Sequence, residues 1–249
     1  MLLKFSTAAA VVAFSCLAAD NTAHAVAVYN AAGDFSAINN PNGVWSYGWS
    51  TTTGSAFNLD AVKTTVSALN VWEGIPASDS FGNPSITFNS TSNPISISGT
   101  IWTPSRLAFH PGSTGQNAIV RWTAPTAGLF AIDAVFQGRS QAAGATTDVH
   151  ILHDSSSLFT GAVLGFGTGS GPSFQGTVVV LAGDTIDFTV GFGGNGTYLF
   201  DTTQLDATIS AVPEPAKLTI LMPGAVALLL NVWIRRKRFL EASMQSRVA

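Results

Sequence analysis

The sequence predicts an all-β protein whose main body, residues 26–211, is an antiparallel β-sandwich of the jelly-roll type. Apolar and polar residues alternate with a period of two in this region, as in half-buried strands, and no long helical pattern interrupts them. Turn-forming pairs that contain glycine, proline or asparagine separate the alternating segments. Many short strands around one aromatic core are typical of a two-sheet sandwich, and the lack of an internal repeat argues against a propeller or a solenoid.

The clearest strand is predicted over residues 130–136, where four alternate apolar side chains would share one buried face. Residues 186–192 show the same alternation, with Asp187 and Thr189 on the opposite face. Further strands are predicted at residues 57–60, 69–72, 86–88, 95–97, 107–109, 119–123, 149–152, 177–181, 197–200 and 207–210.

Residues 1–25 have the parts of a secretory signal peptide. Lys4 provides a positive start, residues 5–19 form an apolar segment, and Ala23-His24-Ala25 offers a cleavage site of the A-x-A type. We therefore expect the mature chain to begin at Val26. The single cysteine, Cys16, lies in the segment that would be removed, so the mature protein is expected to fold without disulfides.

The C-terminal part of the chain has the order of a membrane anchor. Residues 218–234 carry no charge and would reach about 25 Å as a helix, near the short limit for crossing a bilayer. A cluster of four cations follows directly and is expected to stay in the cytoplasm: Arg235, Arg236, Lys237 and Arg238. The alternative is a buried core helix, for which four consecutive cations are an unfavourable flank.

A short proline motif, Pro213, Glu214 and Pro215, precedes this apolar run. A signal peptide, this motif, one apolar helix and a basic cluster together resemble the PEP-CTERM sorting signal of Gram-negative bacteria that make exopolysaccharide. The resemblance implies that residues 212–240 are a sorting segment. It also implies that an exosortase, a membrane protease-transpeptidase, recognises the proline motif. In one departure from the pattern, the chain continues after the basic cluster and ends in a short polar tail, residues 241–249.

The resemblance also implies a location. The inner membrane would hold the protein by its C-terminal helix, with the sandwich in the periplasm, until processing releases it to the cell surface or the extracellular matrix. Two prolines keep the motif extended, as a protease substrate must be.

Charge is unevenly distributed along the chain. Residues 26–212 carry four cations and eleven acids, a net charge of −7. So few lysine and arginine side chains argue against binding to nucleic acid, which requires cations that neutralise phosphates. The balance is compatible with neutral sugars, with cations or with solubility alone.

Aromatic side chains are the candidates for a sugar site. Trp45, Tyr47 and Trp49 alternate along one predicted strand and would share a face, which is the spacing of a glycan-binding platform. The alternative is that this face belongs to the core, where aromatic side chains more often lie. The other candidate tryptophans are Trp72, Trp102 and Trp122.

Sites for metal ions and for catalysis have weaker support. Asp201 and Asp206 flank the last predicted strand and are candidate ligands for a structural calcium ion, although turn formation is the more ordinary use of aspartate there. His150 and His153 are three residues apart, point to opposite faces of a straight strand and cannot ligate one ion together. No cofactor is predicted. We also find no nucleophile motif and no pair of acids that the local sequence marks as catalytic, so no catalytic residues are predicted.

A second resemblance concerns the sandwich itself. Residues 121–130, 183–188 and 205–209 are similar to strand motifs that recur in the jelly rolls of carbohydrate-binding modules. Together with residues 40–48, they also resemble an ectodomain common among PEP-CTERM proteins. The sequence therefore favours a non-catalytic surface or matrix protein that contacts exopolysaccharide in a biofilm, either like a lectin or as a structural component. The alternative is an extracellular enzyme that acts on polysaccharide with the same fold.

Overall fold

The structure is a computed structural model that describes residues 26–74, 82–213 and 232–236. Two antiparallel sheets enclose one hydrophobic core. The strands of the described residues, in chain order, are β1 (Val28–Asn30), β2 (Trp45–Ser50), β3 (Asn58–Leu59), β4 (Val62–Val66), β5 (Leu69–Glu73), β6 (Ser85–Asn89), β7 (Ile95–Ile97), β8 (Thr100–Trp102), β9 (Leu107–His110), β10 (Asn117–Thr123), β11 (Gly128–Gly138), β12 (Asp148–His153), β13 (Ser156–Ala162), β14 (Ser173–Val180), β15 (Thr185–Gly191) and β16 (Thr203–Ala211).

The larger sheet has the order β14-β11-β16-β9-β6-β5-β4, with β1 also paired to β16, and the smaller sheet has the order β13-β12-β15-β10-β2-β3. Strands β7 and β8 form a separate hairpin. From β9 to β16, every connection except the β12–β13 hairpin crosses from one sheet to the other. The predicted all-β class and the antiparallel sandwich are confirmed, and the narrower jelly-roll assignment stays a prediction.

Strand β11 shows how the alternating sequence builds the core. Phe130, Ile132, Ala134 and Phe136 are buried, whereas the residues between them face outward, as their spacing predicts. Across the sandwich, the ring of Phe130 meets Trp122 of β10 at a centroid distance of 5.0 Å. This contact joins the two sheets.

Strand β15 departs from simple alternation because both of its faces are covered. Asp187 is 3% exposed although its position predicts a solvent-facing side chain. Both carboxylate oxygens of Asp187 accept hydrogen bonds from Arg121 on β10, at 2.7 and 2.8 Å. The Phe57 ring lies 4.1 Å from the Arg121 guanidinium and covers the pair. The smaller sheet therefore has an outer face that is partly closed.

One predicted strand is wrong. Residues 197–200 form a loop rather than a strand, and this loop follows the short 3₁₀ turn Gly193–Asn195. Gly196 has a left-handed backbone with φ 70°, and Phe200 has φ 67°, so the chain cannot continue as an extended strand between them.

Most of the predicted targeting segments lie outside the described residues. These include residues 1–25, Glu214, Pro215, Lys237, Arg238 and most of the predicted membrane helix 218–234. Pro213 ends the described sandwich, and residues 232–236 are helical with Arg235 and Arg236 exposed. In the parts of the chain that the structure describes, no helix has the length and apolar character that crossing a membrane requires.

Loss of Arg121 is expected to destabilise the protein strongly. Arg121→Ala leaves the buried Asp187 carboxylate without its partner, and such changes cost about 3–5 kcal/mol of the free energy of unfolding. Arg106→Ala is the matched control, because Arg106 pairs with Asp206 while both side chains are more than a third exposed, and such pairs contribute about 1 kcal/mol or less. Urea denaturation of the two variants measures the difference, and similar losses would contradict the assignment.

Candidate functional site: a cleft on the larger sheet

The residues predicted to form a glycan platform lie mainly in the core. Trp45 is 1% exposed and Tyr47 is fully buried, so neither offers a ring face to solvent. The platform prediction is therefore wrong for these two residues. The face that they share with Trp49 points at the other sheet, and Trp49, which is half-buried, packs against Gly74.

The two predicted calcium ligands are held by different groups. One carboxylate oxygen of Asp201 accepts hydrogen bonds from the Thr146 backbone N–H and hydroxyl, at 2.8 and 3.1 Å. Burial raises the pKa of Asp201 to about 6, and the acid that contributes to this shift is Asp148. Asp206 instead forms an ion pair with Arg106 at 2.6 Å and accepts a hydrogen bond from Gln204. The prediction that Asp201 and Asp206 form one ligand set has no support in these contacts.

The two histidines of β12 point to opposite faces, as their spacing predicts. His150 lies 2.8 Å from Asp148, whereas His153 lies 3.1 Å from Asp184. Asp154 joins the second pair, and the ligand atoms of His153, Asp154 and Asp184 lie within 4.8 Å of one another. Local sequence does not indicate this group, because Asp184 comes from the turn before β15, about thirty residues away along the chain.

A cleft of about 360 Å³ lies on the outer face of the larger sheet, the face that does not contact the core. Alternate residues of β5 and β6 form its floor: Leu69, Val71, Glu73, Ser85 and Thr87. His110 at the end of β9 extends this floor. The cleft follows from the period of two, because Trp72 and Ile86, which lie between these residues on the same two strands, point into the core.

Two segments that are far apart in sequence form the walls. The β7–β8 hairpin contributes Ile97 and Trp102, and the loop after the 3₁₀ turn contributes Tyr198, Leu199 and Phe200. Backbone hydrogen bonds hold the hairpin to the end of β11, from Ile101 N–H to the Arg139 carbonyl at 2.9 Å and from Gln141 N–H to the Gly99 carbonyl at 2.7 Å. Three aromatic side chains therefore line one cavity.

The polar groups of the cleft include both donors and acceptors. Glu73 is 7% exposed and accepts hydrogen bonds from the Thr64 hydroxyl at 2.8 Å and the Asn83 amide at 3.3 Å. The buried indole N–H of Trp102 has no hydrogen-bond partner among the described residues. A buried donor without a partner costs free energy.

His110 is expected to be neutral at physiological pH. Burial lowers its pKa to about 4. Its Nδ1 lies 3.0 Å from the Pro111 carbonyl, which can only accept a hydrogen bond. Nδ1 therefore carries the proton, and Nε2 is left as an acceptor. The His110 ring also meets the Tyr198 ring edge to face at a centroid distance of 5.8 Å.

Trp102 is among the aromatic candidates in the sequence, but the predicted glycan platform lies on β2. The floor of the cleft can be seen in part in the local sequence. Alternate positions of one predicted strand carry Leu69, Val71 and Glu73, which share a face. The loop with Tyr198 and Phe200 was predicted as a strand, so its place in the cleft could not be recognised.

No family model matches the chain, and no curated protein matches its sequence significantly. Several solved structures are weakly similar. A family 35 carbohydrate-binding module from Clostridium thermocellum is 10% identical, with a TM-score of 0.30 over 60% of this chain and 95% of that chain. A family 51 module from Clostridium perfringens, in complex with methyl-galactose, is 12% identical, with a TM-score of 0.32 over 60% of this chain and 92% of that chain. A family 35 module from Paenibacillus barcinonensis is 12% identical, with a TM-score of 0.28 over 75% of this chain and 99% of that chain.

Asp60, beside the floor of the cleft, is expected to make stability depend on pH. It is 1% exposed, and neither carboxylate oxygen has a hydrogen-bond partner among the described residues. Burial, and then the charge of Glu73, raise the pKa of Asp60 from 3.8 to about 8. Between these values the folded protein retains a proton that the unfolded chain has lost, so the free energy of unfolding falls as pH rises.

Asp60→Asn removes this titration. We expect the variant to be more stable than the wild type at pH 8 by an amount on the order of a few kcal/mol, and the difference to shrink towards pH 4. Chemical denaturation of both proteins at several pH values between about 4 and 8 measures this difference in the free energy of unfolding. Asp133→Asn, at an exposed acid, is the control for loss of one charge. A pH dependence that is the same in wild type and Asp60→Asn would contradict the prediction.

Proposed function

We propose that the cleft binds a neutral carbohydrate and that the protein is a non-catalytic surface or matrix component. The observation that carries this proposal is the set of three aromatic side chains, Trp102, Tyr198 and Phe200, that line one cavity of about 360 Å³ beside polar groups. Sugar rings present apolar C–H faces and a rim of hydroxyl groups. Aromatic faces bind the former, and fixed donors and acceptors bind the latter.

The charge of the cleft selects among carbohydrates. Glu73 is the only acidic side chain among the described lining residues, and neither lysine nor arginine lines the cavity. Nothing in this lining would neutralise a uronic acid, a sulfate or a phosphate, and Glu73 would repel each of them. We therefore expect neutral sugars to bind better than acidic ones, for example in the uncharged segments of an exopolysaccharide.

The delivery of the protein is a second part of the proposal and rests on the sequence. The signal peptide, the Pro213–Glu214–Pro215 motif, the apolar run and the basic cluster support export, anchoring in the inner membrane and processing by an exosortase. In this proposal a jelly-roll domain reaches the cell surface or the biofilm matrix and contacts exopolysaccharide there.

An enzyme that acts on polysaccharide is the alternative, and one observation favours it. The pKa of Asp60 is raised, and the charge of Glu73 contributes to this shift. A pair of neighbouring acids, one of which has a raised pKa, is typical of glycosidases. Asp60 does not line the cleft, however, and its carboxyl group is closed off from solvent. It therefore cannot touch a ligand bound in the cleft, and the contacts favour binding over catalysis.

Trp102→Phe is expected to weaken glycan binding without weakening the fold. Phenylalanine has a smaller ring than tryptophan, so a ligand would lose part of its contact with the aromatic face, and we expect its affinity to fall by roughly three- to tenfold. The free protein loses some ring area but also a buried donor that has no partner among the described residues, so its stability is expected to change little. Calorimetric titration with neutral and acidic oligosaccharides, together with thermal melting, measures both effects.

Two further variants complete this experiment. Tyr198→Ala, in the cleft, should also weaken binding, whereas Leu158→Ala, on the edge strand β13 of the other sheet, should leave it unchanged. Equal affinity of all variants would contradict the cleft as the site. Release of reducing ends from the oligosaccharide would favour the enzyme instead.

A further inference from the structure

One end of the larger sheet carries a row of aliphatic side chains on its outer face. Leu129 of β11 pairs with Val179 of β14. The Val212 N–H donates to the Leu129 carbonyl at 2.8 Å. Continuing the register of β1 and β16 places Val26 opposite Val212. These four residues are called the aliphatic row below: Leu129 and Val179 lie on adjacent strands, and Val212 and Val26 continue the row just beyond the ends of β16 and β1.

The aliphatic row is open to solvent. Val26 is 44% exposed, Leu129 39% and Val179 70%, and Leu181, which follows at the end of β14, is 67% exposed. At a spacing of about 4.8 Å between neighbouring strands, four strands make a band about 14 Å wide. Large side chains in such a continuous band are normally found at a contact surface.

The outer face becomes polar with distance from this end. In the next row, Val28 and Ala131 alternate with Ser210 and Thr177, and the following row consists of Asn30, Thr208, Asp133 and Gln175. The apolar character is thus confined to the end at which β16 finishes, and this gradient is the pattern expected where a protein meets an apolar phase from one side.

The predicted membrane segment begins very close to this end. Five residues lie between Val212, in the aliphatic row, and Leu218, the first residue of the apolar run, so the chain takes six steps from one to the other. An extended chain of this length spans at most about 20 Å. A chain anchored through residues 218–234 therefore keeps this end of the sandwich within about 20 Å of the bilayer.

We propose that the aliphatic row rests on the bilayer in the anchored protein, with its side chains at the boundary between lipid headgroups and acyl chains. This inference rests on the proposed membrane anchor. The nearby acid Asp184, whose carboxylate accepts the Leu181 N–H, offers nothing to anionic lipid. The contact is therefore made by aliphatic surface and does not require anionic lipid.

The same contact orients the cleft. His110 and Thr202 lie at the Thr203 end of β16, and Val212 lies at the other end. Strand β16 takes eight steps from Thr203 to Ala211, or about 26 Å. With the aliphatic row on the membrane, the cleft lies towards the distal end of the domain, within reach of polysaccharide outside the membrane.

Site-specific fluorescence in the full-length chain tests the proposal. Val179→Cys, in a Cys16→Ala background, is labelled with bimane, and the protein is reconstituted into phosphatidylcholine vesicles that contain spin-labelled lipid. Ser173→Cys is the matched control, because it is exposed at the other end of the same strand, about 20 Å away. We expect emission at position 179 to shift to shorter wavelength and to be quenched by the spin label, with no such change at position 173.

The outcomes separate the contact from the anchor. Flotation of the vesicles shows first whether the full-length chain is anchored, and a chain that does not float overturns both the anchor and the contact. If the chain floats but position 179 is quenched no more than position 173, the membrane contact alone is overturned, and the row is left as a surface for a protein partner such as the sorting enzyme. Quenching at position 179 that persists at high salt supports an aliphatic contact, and quenching that high salt abolishes overturns it.

Discussion

The aromatic layer between the two sheets is the interaction on which the rest of the structure depends. Trp122 of the smaller sheet meets Phe130 of the larger sheet at 5.0 Å and Tyr29 at 5.6 Å, and each buried side chain of this kind contributes roughly 1.5–3 kcal/mol through the hydrophobic effect. The chain has a single cysteine, so no intramolecular disulfide can supplement the core. Burial of aromatic surface must therefore hold the sheets together.

The aromatic side chains therefore fall into two groups, one in the core and one in the cleft. Trp45 and Tyr47 fill the core, whereas Trp102 and Tyr198 of the proposed glycan site come from a hairpin and a loop that lie on the outer face of the larger sheet. The outer face of the smaller sheet is partly closed by Arg121 and Phe57. Strand β16 runs between the two proposed sites: it starts beside the cleft and ends at the aliphatic row.

Local patterning predicted the regular parts of this fold well. Strand β11 appears where four alternate apolar residues predict it, because burying one face of a strand needs only that spacing. Prediction failed at residues 197–200, whose apolar side chains are typical of a strand. The segment follows Gly196, which has a left-handed backbone conformation, and forms a loop that lines one wall of the cleft. The buried position of Asp187 could not be foreseen either, since it depends on Arg121, which lies 66 residues earlier in the chain.

The sequence by itself determined the all-β class of the fold, the alternation of its strands, the low number of cations and the order of the predicted targeting segments. A period of two shows which side chains share a face, but not which face the other sheet will cover. Only the tertiary structure decided that Trp45 and Tyr47 are core, that Glu73 and Trp102 share a cleft, and that four aliphatic residues from separate strands form one row. The physical reason is the same in each case: these neighbours are brought together by strand pairing over long separations, which local sequence does not encode.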